Sequence, residues 1–569
     1  MRFYGFIVCL VLLTIIHFSL AWMINRPQFA GPDAPSGKLN SLSFAPFREG
    51  FSPLEEKFPL PEHIEEDLRL LADKTESIRT YASLGGMETV PESARRYGLT
   101  MTQGAWLGYG YQDNRLEIEA LIKSAKAHPD VVKRVIVGNE VLLRGEMTPE
   151  RLISYIREVK KAVDQPVSYA DVWSMYMKYP QIIREVDFIT IHILPYWEDE
   201  PVSVQTAIEH VERVYRQVRQ EADAIAPGKP ILIGESGWPG FGRQRGGAVP
   251  GIVNEALFVR SLVRIAHDNG FDYNIVEAFN QPWKSELEGA VGANWGLYSA
   301  TRQQVFPLTG SVIERPDWMQ RFWYSSAIGY LLALFYYRRL KMLKWSKMTL
   351  LAALILVLAV AFYLPIEELW QTAYSGSRRI YVLTIAMINL LTAVLLLERA
   401  IQMLSEKPAA MRVARDLDRL YLLMMGVALY KTYGLAMNGR YLDFPNAEFA
   451  LPVVGILGLA LCHVLSTKRV LPVPAVCELF GVSRSLIPPR VSAGLLLFAA
   501  IGLLVGETNA FMVGRDFIAA YPDIGQRLPK AVYYTLINRQ LLLWLGCLTL
   551  LAFFYWRCNI HGAAVSEEP

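Results

Sequence analysis

Two short runs of the chain end in the same way. Val135-Ile136-Val137-Gly138-Asn139-Glu140 passes from β-branched residues straight into an amide and a carboxylate, and Ile231-Leu232-Ile233-Gly234-Glu235-Ser236 repeats the arrangement. Each run reads as a buried strand whose last residues emerge at a rim, so Glu140 and Glu235 stand where strand gives way to loop. Either glutamate alone reads equally well as a solvated loop acid or a helix N-terminal acid. Together, each with glycine just before it, they suit the cleavage of a glycosidic bond, which needs one protonated carboxyl and one carboxylate flanking the bond. The glycines let side chains and sugar approach the strand ends closely.

The elements that must hold such a pair are legible around it. Strands are expected near 42–45, 77–81, 100–106, 134–138, 166–170, 188–193, 231–234 and 274–278, with amphipathic helices near 62–72, 114–127, 149–163, 202–224 and 254–268. Eight strands alternating with helices between Pro27 and Trp318 match a (β/α)8 TIM barrel, with Glu140 and Glu235 on the rims of strands four and seven. A doubly wound sheet is the alternative that the same alternation permits.

The segments around Val137-Gly138-Asn139-Glu140-Val141 and Gly234-Glu235-Ser236-Gly237-Trp238-Pro239 resemble the two signature motifs of glycoside hydrolase family 17, retaining barrel enzymes acting on β-1,3-glucan. Further matches are Ile78-Arg79-Thr80-Tyr81, Glu277-Ala278-Phe279-Asn280 with Lys284, Trp295-Gly296-Leu297-Tyr298 and Val305-Phe306-Pro307-Leu308, so the likeness covers about residues 39 to 315. It implies Glu140 as acid/base and Glu235 as nucleophile. Candidate substrate-binding residues are Asn139, beside the sugar 2-hydroxyl; Tyr196, also a candidate donor to the nucleophile; Glu277 and Lys284; and Trp238 and Trp283, the preferred sugar platforms among six tryptophans near predicted rims. Arg79 leaves an apolar strand, where a charge needs a partner, and is expected to support Glu235. Two positions depart from the family. His192 stands where an amide is usual, and Gln281 where a glutamate is usual. With no second His or Cys at ligand spacing, His192 reads as a hydrogen-bonding rim residue; no metal and no cofactor are expected.

The rest of the chain belongs to another physical regime. Of 569 residues, 52% are hydrophobic, and the net charge of +3 comes without a basic stripe, so no nucleic-acid partner is expected. Residues 1–25 read as a retained N-terminal transmembrane signal anchor; Ser19-Leu20-Ala21 resembles a cleavage site, but bulky Trp22 follows it. Apolar runs near 322–337, 347–364, 379–397, 420–437, 447–466, 491–510 and 540–556 make 322–558 a polytopic α-helical membrane domain of about seven helices. Lys and Arg crowd the connections at 338–347 and 399–419, which places those loops, and a tail at 559–569, in the cytoplasm. The expected location is the inner (cell) membrane, multi-pass, with eight crossings and a periplasmic catalytic domain at 27–318. Lys431 and Glu507 are charges inside predicted spans, and Asn438–Asp443 with Glu507–Asn509, Arg515 and Asp516 form a candidate outer platform for glucan or a lipid-linked acceptor. Expected partners are a β-glucan, membrane lipid and a glucan synthase. The expected activity is hydrolysis of β-1,3 linkages or transglycosylation, including β-1,6 branching. The alternative is a non-catalytic glucan receptor coupled to membrane transport.

Overall fold

The computed structural model describes residues 2–35 and 37–558, so the expected tail at 559–569 lies outside the described residues. The chain divides into two compact units, one of Pro27–Glu314 with Val513–Arg527, the other of the remaining residues.

In the first unit eight parallel strands close in chain order: β1 (Leu39–Ser43), β2 (Thr75–Arg79), β3 (Thr100–Ala105), β4 (Val132–Asn139), β5 (Val167–Val172), β6 (Ile189–His192), β7 (Ile231–Ser236) and β8 (Asp272–Ile275). Closure of β1 on β8 through Leu42 and Ile275 sets the doubly wound alternative aside. All eight expected strands exist, displaced by at most a few residues. The intervening helices form because their apolar residues recur on one face: Pro149–Ala162 buries Leu152, Tyr155, Ile156 and Val159, spaced for a single stripe. That helix starts at Thr148, whose hydroxyl accepts from Arg151 N at 3.4 Å, with Pro149 at its first position. Four such side chains taken out of water contribute roughly 1.5–3 kcal/mol each.

What positions the site is departure from regular pairing. The ladder shifts register between Ile136 and Asn139 on β4, between Ile191 and His192 on β6, and between Ile233 and Ser236 on β7. Irregularities of this kind re-aim side chains at a barrel rim. The barrel interior beneath is partly polar: Ser41 Oγ donates to Asn274 Oδ1 at 2.6 Å, and Asn274 Nδ2 donates to Ser43 Oγ at 2.7 Å and to Gly234 O at 3.0 Å.

In the second unit, seven helices among the described residues are long and apolar enough to cross a membrane by length and composition: Tyr4–Ile24, Trp345–Gln371, Gly376–Leu404, Met411–Tyr441, Ala450–Thr467, Pro489–Met512 and Arg539–Trp556. The run expected near 322–337 forms a helix, Trp318–Phe335, which is not among these seven. Its first turns carry Gln320 and Arg321, which dilute its hydropathy. Close helix approach relies on small residues: a side-chain carbon at Gly506 would sit 2.2 Å from Ala436 O. Lys431 is not alone, because its ammonium lies 3.3 Å from Glu448 and 4.5 Å from the centre of the Tyr381 ring. Glu507 is buried.

Candidate active site

Glu140 follows β4 directly, with φ of +53°, a left-handed conformation that a non-glycine residue holds at a cost of order 1–3 kcal/mol. Its N–H donates to Ala170 O at 2.8 Å, which ties the bend to β5. Gly138, at φ +85°, makes the turn that precedes it. Glu235 lies within β7, and Gly234 before it is required for a different reason: a side-chain carbon there would stand 2.3 Å from Thr190 Cγ2. The Glu140 side chain is 23% exposed and that of Glu235 11%, so both face a semi-enclosed mouth.

Between them lies His192, fully buried. Its Nδ1 is 2.7 Å from Glu140 Oε1 and its Nε2 is 3.5 Å from Glu235 Oε1. Oxygen atoms of both glutamates and a ring nitrogen of His192 lie within 4.8 Å of one another. Geometry alone lets such a trio hold a cation, but a fixed one is already there. The Arg79 guanidinium, 1% exposed, donates from Nη1 to Gly234 O at 2.6 Å and to Glu235 Oε1 at 3.2 Å, and from Nη2 to Asn139 Oδ1 at 2.6 Å. Arg79 therefore joins β2, β4 and β7 at the level of the reacting groups. Because the Asn139 oxygen is committed to Arg79, only its amide nitrogen is left for a sugar.

The other expected residues are distributed unequally. Tyr196 is fully buried and its hydroxyl donates to Arg243 O, not to the nucleophile. Trp238 is also fully buried, with Nε1 donating to Val249 O at 3.0 Å, so it packs the core and presents no face to a sugar. Both sit one loop too deep, held by the backbone of 243–249. Glu277 is buried beneath the rim, where its Oε1 accepts from Lys284 Nζ at 2.9 Å while its Oε2 has no partner. Burial outweighs the Lys284 charge and pushes this carboxyl up to about 7. Trp283 is half-buried and donates from Nε1 to Gln281 Oε1 at 3.0 Å; Gln281 in turn donates to Ala45 O at 2.6 Å, which makes it a strut between loops.

Three residues join the site that sequence reasoning passed over. Arg144 donates to Asn139 O and to Glu146, and stacks 4.6 Å from the centre of Trp106, an exposed ring. Asp171 ends the buried part of β5; its Oδ1 accepts from Val172 N at 2.8 Å and its Oδ2 from the Tyr169 hydroxyl. Burial and then the Glu140 charge push Asp171 up to about 7. Glu288 is pushed up by burial, against the pull of Lys284 and with the charges of Glu140 and Glu235 adding. Asp171 carries the same signal that marks Glu140, a carboxylate at a strand's carboxyl end; Glu288 lies in a later helix and carries none. Glu140 itself is held below the usual carboxylate range: burial pushes it up, but the hydrogen bond and charge of His192, with the charges of Arg144 and Arg79, outweigh that.

Residues 42–296 match the BtgE/BtgC glycoside hydrolase domain. Within this glycoside hydrolase-like barrel the chain is 27% identical over 267 residues to a glucan 1,3-beta-glucosidase of Arthroderma benhamiae, covering 44% of this chain and 86% of that protein. It is 29% identical over 273 residues to a putative glucan endo-1,3-beta-glucosidase, btgC, of Aspergillus niger, where it covers 43% of this chain but only 39% of that protein. Among solved structures it is similar to the glycoside hydrolase family 17 beta-1,3-glucanosyltransferase of Rhizomucor miehei, at 26% identity and a TM-score of 0.42, covering 48% of this chain and 98% of that one.

Proposed function

We propose that the barrel is a retaining enzyme acting on β-1,3-glucan, with Glu140 as acid/base and Glu235 as nucleophile. The observation that carries this reading is the separation of the two carboxyls. Oxygens within 4.8 Å are close to the roughly 5–5.5 Å of nucleophilic pairs and well short of the roughly 6.5–9.5 Å that an intervening water needs. Glu235 attacks the anomeric carbon as Glu140 protonates the departing oxygen, and Glu140 then takes a proton from the acceptor that releases the sugar. Arg79 aims the nucleophile through its 3.2 Å contact with Glu235 Oε1, while the Asn139 amide nitrogen is placed for the 2-hydroxyl. The relatives named glucan 1,3-beta-glucosidase and beta-1,3-glucanosyltransferase support the substrate class and both fates of the intermediate, water or a second sugar. The exposed Trp106 ring, backed by Arg144, offers an acceptor sugar a face near the acid/base and supports transfer beside hydrolysis.

The seven long apolar helices support a membrane protein. The proposal extends to an inner-membrane chain with its first helix as anchor and its barrel on the periplasmic side, supported by the Lys and Arg clusters at 338–347 and 399–419. Lipid and a glucan synthase are its proposed neighbours there. Full-length protein in detergent, incubated with laminari-oligosaccharides, is expected to give shortened, lengthened or branched products by mass and linkage analysis, and Glu235→Gln none. Unchanged oligosaccharides with the wild type would overturn the assignment.

A further inference from the structure

The acid/base of a retaining enzyme must carry a proton when substrate arrives, yet the surroundings of Glu140 hold its carboxyl below the usual range. The resolution lies in His192, which is wedged between both glutamates and has no exposed side-chain surface. Four charged or titratable groups face it. Glu140 at the end of β4 meets Nδ1 at 2.7 Å; Glu235 on β7 and both terminal nitrogens of Arg79 on β2 stand 3.5 Å from Nε2. Asp171 stands on β5, which pairs with β6 beside it through Val172 and His192. Nε2 is therefore met in either state, by the Glu235 carboxylate when it carries hydrogen and by the guanidinium when it carries a lone pair.

We infer that His192 is a positioning residue that stores the catalytic proton for Glu140, so that the acid/base of this barrel is a glutamate–histidine pair rather than a single carboxyl. This rests on the retaining reading given above. The inferred proton store has Nδ1–H donating to the Glu140 carboxylate across 2.7 Å and Nε2–H directed at the Glu235 carboxylate across 3.5 Å. When substrate binds, the proton passes from Nδ1 to Glu140 and from Glu140 to the glycosidic oxygen. In the same step the bond from the anomeric carbon to that oxygen breaks and a bond to a Glu235 oxygen forms. The ring is left neutral, with its Nδ1 lone pair against the Glu140 carboxylate, which makes Glu140 a stronger base for the second half. There the acceptor hydroxyl gives its proton to Glu140 and back to Nδ1, its oxygen bonds to the anomeric carbon, and the bond to Glu235 breaks. No proton or electron is left over. An amide at this position can hold the same geometry but cannot store the proton.

The test compares wild type with His192→Asn, and with His192→Gln as the longer amide, on two substrates. Laminari-oligosaccharides need acid assistance; 2,4-dinitrophenyl β-laminaribioside, whose leaving group departs as an anion, does not. With the oligosaccharides, kcat/KM is expected to fall by about 10²-fold, and with the aryl glycoside by no more than about threefold. The basic limb of the kcat/KM profile should move to lower pH by about one unit. Equal losses on both substrates, or an unmoved basic limb, would assign His192 a packing role only and overturn the inference. In the wild type, the ring-nitrogen NMR shifts of His192 at about pH 6 should report both nitrogens protonated; a singly protonated ring overturns the inference even if neither variant folds. A wild type that turns over neither substrate would instead remove the retaining reading itself.

Discussion

Replacing Arg79 by Lys keeps the charge and removes the fork. The guanidinium spans three acceptors: Gly234 O at 2.6 Å, Glu235 Oε1 at 3.2 Å and Asn139 Oδ1 at 2.6 Å. A lysine nitrogen is a single point at the end of a flexible stem and cannot serve β4 and β7 together. Two directional bonds to fixed acceptors are then lost, each worth about 1.5 kcal/mol, or about 3 kcal/mol in all. If that loss falls on the alignment of Glu235 and Asn139 with the reacting sugar, kcat/KM drops by about 10²-fold, at 1.4 kcal/mol per factor of ten. The pocket around Arg79 is closed, so some of the loss falls on the fold, and the melting temperature is expected to drop by a few degrees. The assay is single-turnover formation of the glycosyl-enzyme from an aryl laminaribioside, followed by quench and intact mass, alongside thermal unfolding. A rate within threefold of wild type would refute the reasoning, because the contacts to Glu235 and Asn139 would then carry nothing into the transition state.

Azide distinguishes the two glutamates. Glu235→Ala with azide is expected to yield the α-glycosyl azide, since azide replaces the nucleophile, whereas Glu140→Ala should yield the β-azide from an intact intermediate; NMR of the products reads the anomer, and the reverse pattern would exchange the roles. Asp171 is pushed up from 3.8 to about 7 in the fold, so the stability it contributes is fully present below about pH 3.8 and is lost as pH rises through 7. Asp171→Asn should therefore gain on wild type in melting temperature across that window, and parallel curves from pH 4 to 8 would contradict the burial argument. Gly138→Ala meets its neighbours at ordinary contact distance, Leu107 nearest at 3.4 Å, but must hold φ +85°, so urea unfolding should show about 1 kcal/mol lost and turnover should fall as Glu140 shifts.

How much of this the sequence showed depended on the distance over which each signal acts. The strands were legible because β-branched runs and turn residues are local, and Arg79 was legible because a guanidinium in an apolar run needs an acid. Helices such as Val90–Arg96 and Trp173–Lys178 are short and lack a full apolar stripe, so no periodicity marked them. Within the site, the carboxylates at strand ends were found and His192 was placed on the rim, but its contact with both glutamates depends on register shifts in β4, β6 and β7 that no pairwise pattern reveals. Tyr196 and Trp238 were expected to face sugar because aromatic residues near a rim suit either role. What decides between core and cleft is the path of the 241–251 loop, which is set by tertiary packing.

The assignment of Val513–Arg527 to the barrel unit bears on how the protein can be cut. This stretch leaves Pro489–Met512 and meets the loops after β5 and β6: Asp516 N donates to Asp199 at 2.9 Å, Ser174 Oγ donates to Asp516 at 3.2 Å, and Phe517 is fully buried. A gene fragment ending at Glu314 would keep every strand and both glutamates yet leave Ser174 and Asp199 without these partners, beside the strands that carry Asp171 and His192. The catalytic module is thus discontinuous in the gene, and exchanging it between chains takes two transplants.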